Sequence, residues 1–147
     1  MFNSIVVGSD GSSRSRQAVA LASEVAKTHG AMLHLVRAFR PTLQTAALAA
    51  GDAVMALAPT TDAEIHQQVE EELERLAAEI ERDGVAVQTY ACPQSAPSAI
   101  LSVASHQEAD LIVVGSKGMH GARRVLGSVP NSIAHQATCA VMIVPTA

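Results

Sequence analysis

Aromatic side chains are almost missing from this chain, which has no Trp, one Tyr and two Phe among 147 residues. It therefore lacks the stacking platforms on which single-stranded nucleic acid is held. Positive charge is scarce as well. The formal net charge is −4, which gives no general attraction to nucleic acid or to an anionic membrane surface. Cys92 and Cys139 are the only two cysteines, and they match neither a zinc-site nor a thioredoxin spacing. A reduced, cytoplasmic setting is the simple reading of so few thiols, although the two could pair. No apolar run approaches the length needed to span a bilayer. The start, MFNSIVVGSDG, lacks the basic residues and long apolar stretch of a secretory signal. These absences predict a soluble protein that engages neither nucleic acid nor membrane.

What the chain does have is aliphatic. Apolar residues make up 48% of it, so the core must be built from Ala, Val, Leu and Ile. The length suits one domain over residues 1–147 with a core that needs no staples. Short branched runs recur at Ile5-Val6-Val7, Met32 to Val36, Val85 to Val87, Leu111 to Val114 and Val141 to Val144. The first and fourth are continuously apolar, as strands buried on both faces are. Helical patterns lie between them. Ser12 or Ser13 can cap a helix that presents Ala18, Leu21, Ala22 and Val25 and ends before Gly30. A second begins near Thr61 or Asp62, with the stripe Ile65, Val69, Leu73, Leu76 and Ile80, and stops at Asp83-Gly84. A third spans about Ser95 to His106 and a fourth about Ser128 to Gln136. The order β-α-β-α-β-α-β-α-β implies an α/β fold, an open five-stranded parallel sheet with helices on both faces. The long connection from Arg40 to Thr60 reads as a loop with a helical turn around Thr45 to Ala50.

In such sheets ligands sit beyond the carboxyl ends of the strands, where strand order reverses. Two turns are candidates. After the first strand comes Gly8-Ser9-Asp10-Gly11-Ser12. Its glycines let the backbone approach a ligand, and Asp10 can accept from an adenine amino group or a ribose hydroxyl. Equally, Asp10 can cap the following helix while the glycines serve the turn. After the fourth strand comes Gly115-Ser116-Lys117-Gly118, and Gly127-Ser128 opens the last helix. Amide groups at a helix N-terminus, helped by the dipole, form a natural phosphate site. Ser128 is expected to cap that helix and to donate its hydroxyl, with Pro130 in a position that needs no N–H. Lys117, Arg123 and Arg124 bring positive charge nearby. The histidines carry no metal spacing: His34 reads as a satisfied, partly buried imidazole, and His120 is the one placed to touch phosphate.

Three segments together resemble the universal stress protein family: NSIVVGSDGS at 3–12, the Gly-x-x-Gly followed by Gly-Ser between 115 and 128, and the ending CAVMIVP. The resemblance covers nearly the whole chain. It implies a Rossmann-like sheet of strand order 3-2-1-4-5. It also implies an ATP site of the pattern Gly-x2-Gly-x9-Gly-(Ser/Thr), with Mg2+ accompanying the nucleotide. Carried over by position, Gly8, Ser9 and Asp10 would meet adenine or ribose and Ala38 would line the adenine pocket. Val114, Gly115 and Gly118 would border ribose and phosphates, with Gly127, Ser128 and Val129 at the phosphates. Eight residues, Met119 to Leu126, separate Gly118 from Gly127, one fewer than the family pattern. Some members carry proline where Gly8 stands, so the pocket should be slightly wider here. The resemblance implies a stress-response or signalling module with at most slow ATP hydrolysis. It further implies a homodimer formed through the last strand, Ala140 to Val144. A member that does not bind ATP, or that binds cyclic AMP and works through dimerisation and protein partners, is the alternative.

Overall fold

A computed structural model describes residues 1–39, 62–116 and 127–146. Nine elements follow in order: β1 (Ser4–Gly8), α1 (Ser13–His29), β2 (Met32–Ala38), α2 (Asp62–Arg82), β3 (Val87–Cys92), α3 (Ala96–His106), β4 (Leu111–Gly115), α4 (Ser128–Gln136) and β5 (Ala140–Val144). The five strands form one parallel sheet in the order β3-β2-β1-β4-β5. The fold class read from the sequence is the one observed. The connection at 40–60, for which the sequence suggests a helical turn around Thr45 to Ala50, lies outside the described residues.

Strand periodicity divides the core in two. Ile5, Val7, Leu33, Leu35, Leu111 and Val113 face α1 and α2, meeting Ala18, Ala22, Val69, Leu73 and Ile80. Val6, Val36, Ile112 and Val114 face the opposite way, onto Ile100 and Val103 of α3 and Ile133 of α4. Small residues on α1 let that helix lie close to the sheet, which is how a core with so few aromatics packs to density. Each fully buried Val, Leu or Ile contributes roughly 1.5–3 kcal/mol, against about 1 kcal/mol for a good cap. Burial therefore holds the helices, and the caps set their ends. α1 starts at Ser12, whose Oγ accepts from the Ser15 N–H at 3.2 Å, and it stops at Gly30, left-handed at φ 66°.

One boundary moves. The third strand begins at Val87 rather than Val85 and runs on to Cys92 through Gln88, Thr89 and Tyr90. β3 is an edge strand paired only with β2, so it needs no continuous apolar run. Val85 is buried just before it. The amino end of the sheet is tied by Asp110, whose carboxylate accepts the N–H groups of Asn3 (2.8 Å) and Ser4 (3.3 Å). The Asp110 N–H in turn donates to the Ser4 carbonyl at 3.0 Å. From there the β1–β4 ladder runs over Ile5↔Leu111, Val6↔Ile112 and Val7↔Val113. β1–β2 and β4–β5 continue further, to Gly8↔Val36 and Gly115↔Val144.

Candidate functional site

β1 and β4 are neighbours in the sheet, but the chain leaves β1 toward β2 on one side and leaves β4 toward β5 on the other. Their carboxyl ends therefore flank the point where strand order reverses. A cavity of about 440 Å3 opens there. It is lined by Gly8, Ser9, Asp10, Ala38, Val114, Gly115, Gly127, Ser128 and Val129. All nine are residues singled out from the sequence, and four different elements bring them together. Gly118, the tenth, lies outside the described residues, as do Lys117, His120, Arg123, Arg124 and the shortened spacing.

The turn after β1 is held tightly. The Ser9 N–H donates to the Val36 carbonyl at 2.8 Å, which carries the chain past the end of β2. Ser9 is itself buried, and its Oγ accepts from the Gly11 N–H at 3.4 Å. Gly11 sits at φ 80°, where a side chain is strained. The Arg37 guanidinium, which pairs with Glu72, lies across it. Asp10 Oδ1 accepts from the Ser12 N–H at 2.9 Å. The turn-forming role of Asp10 is thus realised, on a side chain that is also exposed on the cavity wall.

Two glycines do something that the sequence did not reveal. A Cβ on Gly8 would fall 2.6 Å from Ile100 Cδ1. The space at Gly8 is filled by α3, so its missing side chain admits a helix and does not widen the cavity. A Cβ on Gly115 would meet Thr146 Cγ2 at 3.1 Å, so Gly115 makes room for the segment that follows β5.

The start of α4 also differs from expectation. The capping position belongs to Gly127, not Ser128, so the cap residue itself offers no side-chain acceptor. The first intrahelical bond runs from the Asn131 N–H to the Gly127 carbonyl at 3.1 Å, and Pro130 has no N–H to offer. Glycine is tolerated at an N-cap but has no oxygen with which to satisfy the amides of the first turn. The contrast with α1 and α3 is direct: there Ser12 and Ser95 accept from Ser15 and Ser98. Of the three helix caps described at this edge of the sheet, that of α4 alone lacks a side-chain acceptor of its own, and it meets the cavity.

Sequence reasoning missed Ser12, Arg14, Ser15, Ile100, Pro130 and Thr146, which also line the cavity. Arg14 is one helical turn beyond Asp10, and those two are the charged groups among the described lining residues. Thr146 lies two residues past β5, at the same edge of the sheet, and the strand-end rule applied to all five strands would have reached it. His34 stands apart from the cavity. It is buried on β2, with Nδ1 3.0 Å from Tyr90 Oη, while Tyr90 donates to Gln88 Oε1 at 2.8 Å. Tyr90 Oη thus accepts from an Nδ1–H on His34, and burial lowers the imidazole pKa below its ordinary value. Among the described residues no group of three or more His, Cys, Asp or Glu side chains could hold a metal ion. Nor is any described helix long and apolar enough to cross a membrane.

An open parallel sheet whose strand order reverses at its centre, with a cavity at that point, defines the class of doubly wound α/β proteins. The universal stress protein family model matches residues 1–145. Universal stress protein YxiE of Bacillus subtilis is 31% identical over 98% of this chain and 99% of its own length. A universal stress protein crystallised in complex with cAMP is 27% identical and superimposes with a TM-score of 0.70, covering 99% of this chain and 98% of that one. A universal stress protein of Archaeoglobus fulgidus, 21% identical, superimposes with a TM-score of 0.72 over 98% and 99% of the two chains. The chain belongs to the universal stress protein family.

Proposed function

We propose that the cavity binds an adenine nucleotide, ATP in the first instance, and that the chain acts as a nucleotide-responsive stress or signalling module. The observation that carries this reading is the N-terminus of α4. Gly127 offers the first-turn amides no side-chain acceptor of its own, at the edge of a cavity that Arg14 also lines. A phosphate there would accept from those amides, meet the positive end of the helix dipole and gain a nearby guanidinium. The largely aliphatic walls, Val36, Ala38, Ile100, Val114 and Val129, suit a purine, with Asp10 positioned to accept from a ribose hydroxyl or an adenine amino group. Gly118 completes the phosphate loop in this reading.

Mg2+ would be held chiefly by the phosphates and water, as this ion commonly is, because Asp10 is the one carboxylate among the described lining residues. The same scarcity of acid–base groups supports turnover that is slow or nil. The working assembly is a homodimer joined along β5, an edge strand whose apolar residues Val141, Met142 and Ile143 are only half-buried; covering such an edge is favourable.

A second reading, cyclic AMP in place of ATP, is supported by the relative crystallised with cAMP. Mass spectrometry of nucleotide released from purified protein, followed by calorimetric titration with ATP, ADP and cyclic AMP with and without Mg2+, separates the two. No binding of any of them at millimolar concentration removes the proposal.

A further inference from the structure

The segment after β5 is locked to the end of β4. The Ser116 N–H donates to the Val144 carbonyl at 2.9 Å, and the Thr146 N–H donates to Ser116 Oγ at 3.0 Å. Ser116 is only 2% exposed and Thr146 7%. Thr146 lines the cavity, and its side chain rests over Gly115, with Oγ1 3.7 Å from the place a Cβ there would take. That Oγ1 has no hydrogen-bond partner, the one buried side-chain polar atom among the described residues left in this condition.

A hydroxyl is both donor and acceptor, and burying one unpaired is costly. The fold could have avoided that cost with valine, which has nearly the same shape. Native structures carry few such groups, and each calls for a reason. Here the reason is in reach. Thr146 stands on the wall of a cavity, beside the strand end where a sugar–phosphate would lie if the nucleotide reading holds. We propose that the Thr146 hydroxyl is a ligand-contacting group, paired only when nucleotide is bound, donating to an oxygen of its sugar–phosphate portion. The residues beyond the last strand thereby become part of the binding site. The glycine at 115 serves two purposes: it admits Thr146 to the cavity wall and leaves the strand end unobstructed.

The inference rests on the nucleotide reading, and one set of variants tests both. Wild-type, Thr146→Val and Thr146→Ser proteins are titrated with ATP and cyclic AMP by calorimetry, and each is melted without nucleotide. Thr146→Val should weaken whichever nucleotide the wild type binds by about tenfold, the worth of one good hydrogen bond. Thr146→Ser, which keeps the hydroxyl, should stay within about twofold of wild type by the same reasoning. Without nucleotide, Thr146→Val should melt at the same temperature as wild type or higher, since it removes an unpaired buried group. Wild-type affinity in Thr146→Val overturns the inference while leaving the nucleotide reading intact. So does a clear loss of stability in unliganded Thr146→Val, which would mean that the hydroxyl is already satisfied within the fold. A wild type that binds neither nucleotide overturns both.

Discussion

Replacing Gly8 with alanine is the sharpest test of how α3 is seated. The new Cβ would lie 2.6 Å from Ile100 Cδ1 and 3.4 Å from its Cγ1. The first distance is far inside van der Waals contact, so the terminal methyl of Ile100, which is only 3% exposed but lines the cavity, must shift. Overpacking of this kind costs about 1–3 kcal/mol. Gly8 is not among the positive-φ glycines, so alanine also restricts the unfolded chain and returns about 0.4–1 kcal/mol. The net loss should be about 1.5 kcal/mol. With a urea m-value of about 1–3 kcal/mol per molar, the midpoint should fall by about 0.5–1.5 M. Ile100→Val deletes the offending Cδ1 and by itself costs about 0.5–1.5 kcal/mol. In the double variant the clash is gone, and it should be more stable than the sum of the single losses by about 1–2 kcal/mol. Urea denaturation of the four proteins in the cycle gives this coupling directly. Single effects that add to within about 0.5 kcal/mol would refute the contact as the reason for glycine at position 8.

His34 predicts a pH dependence. Burial lowers its folded pKa, so between that value and the ordinary pKa of about 6.5 the unfolded state binds more proton than the native state. Stability should therefore fall as pH drops below about 6.5, with His34 contributing a slope of at most about 1.4 kcal/mol per pH unit. Denaturation series over mildly acid pH should show a shallower slope in His34→Asn, and an unchanged slope would exclude His34 as its source. Burial raises the thiol pKa of Cys92, and burial together with the Asp110 carboxylate raises that of Cys139. Both should react more slowly with a thiol reagent in native protein than in guanidinium chloride, and equal rates would contradict their half-buried placement. Gly127→Val puts a branched side chain at the mouth of α4; nucleotide binding should be lost while the far-ultraviolet circular dichroism is kept.

Sequence pattern revealed the fold wherever burial was two-sided. Ile5 to Val7 and Leu111 to Val114 are central strands, apolar on every residue, and their limits were read almost to the residue. β3 was misplaced because an edge strand with Gln88, Thr89 and Tyr90 obeys a weaker rule. The candidate site was legible because glycines, Asp10 and Ser128 fall at strand ends and helix starts, where local sequence sets local shape. What stayed hidden were contacts between segments distant in sequence. Neither Ile100 against Gly8 nor Thr146 over Gly115 leaves a trace in spacing. The capping role expected of Ser128 fell to Gly127 for a similar reason. Helix propensity ranks serine well at that position, but the observed backbone places Gly127 there, φ −58° and ψ 160°.

The tie at Asp110 and the short β1–β4 ladder make the sheet mechanically uneven. At the amino end these two strands are fastened to each other; at the carboxyl end their pairing stops at Val7↔Val113, while both outer ladders run on. The halves β3-β2-β1 and β4-β5 are thus joined by a short seam that is fastened at the amino end and parts at the cavity. A nucleotide bound as proposed would bridge the two halves at the end where their own pairing has stopped.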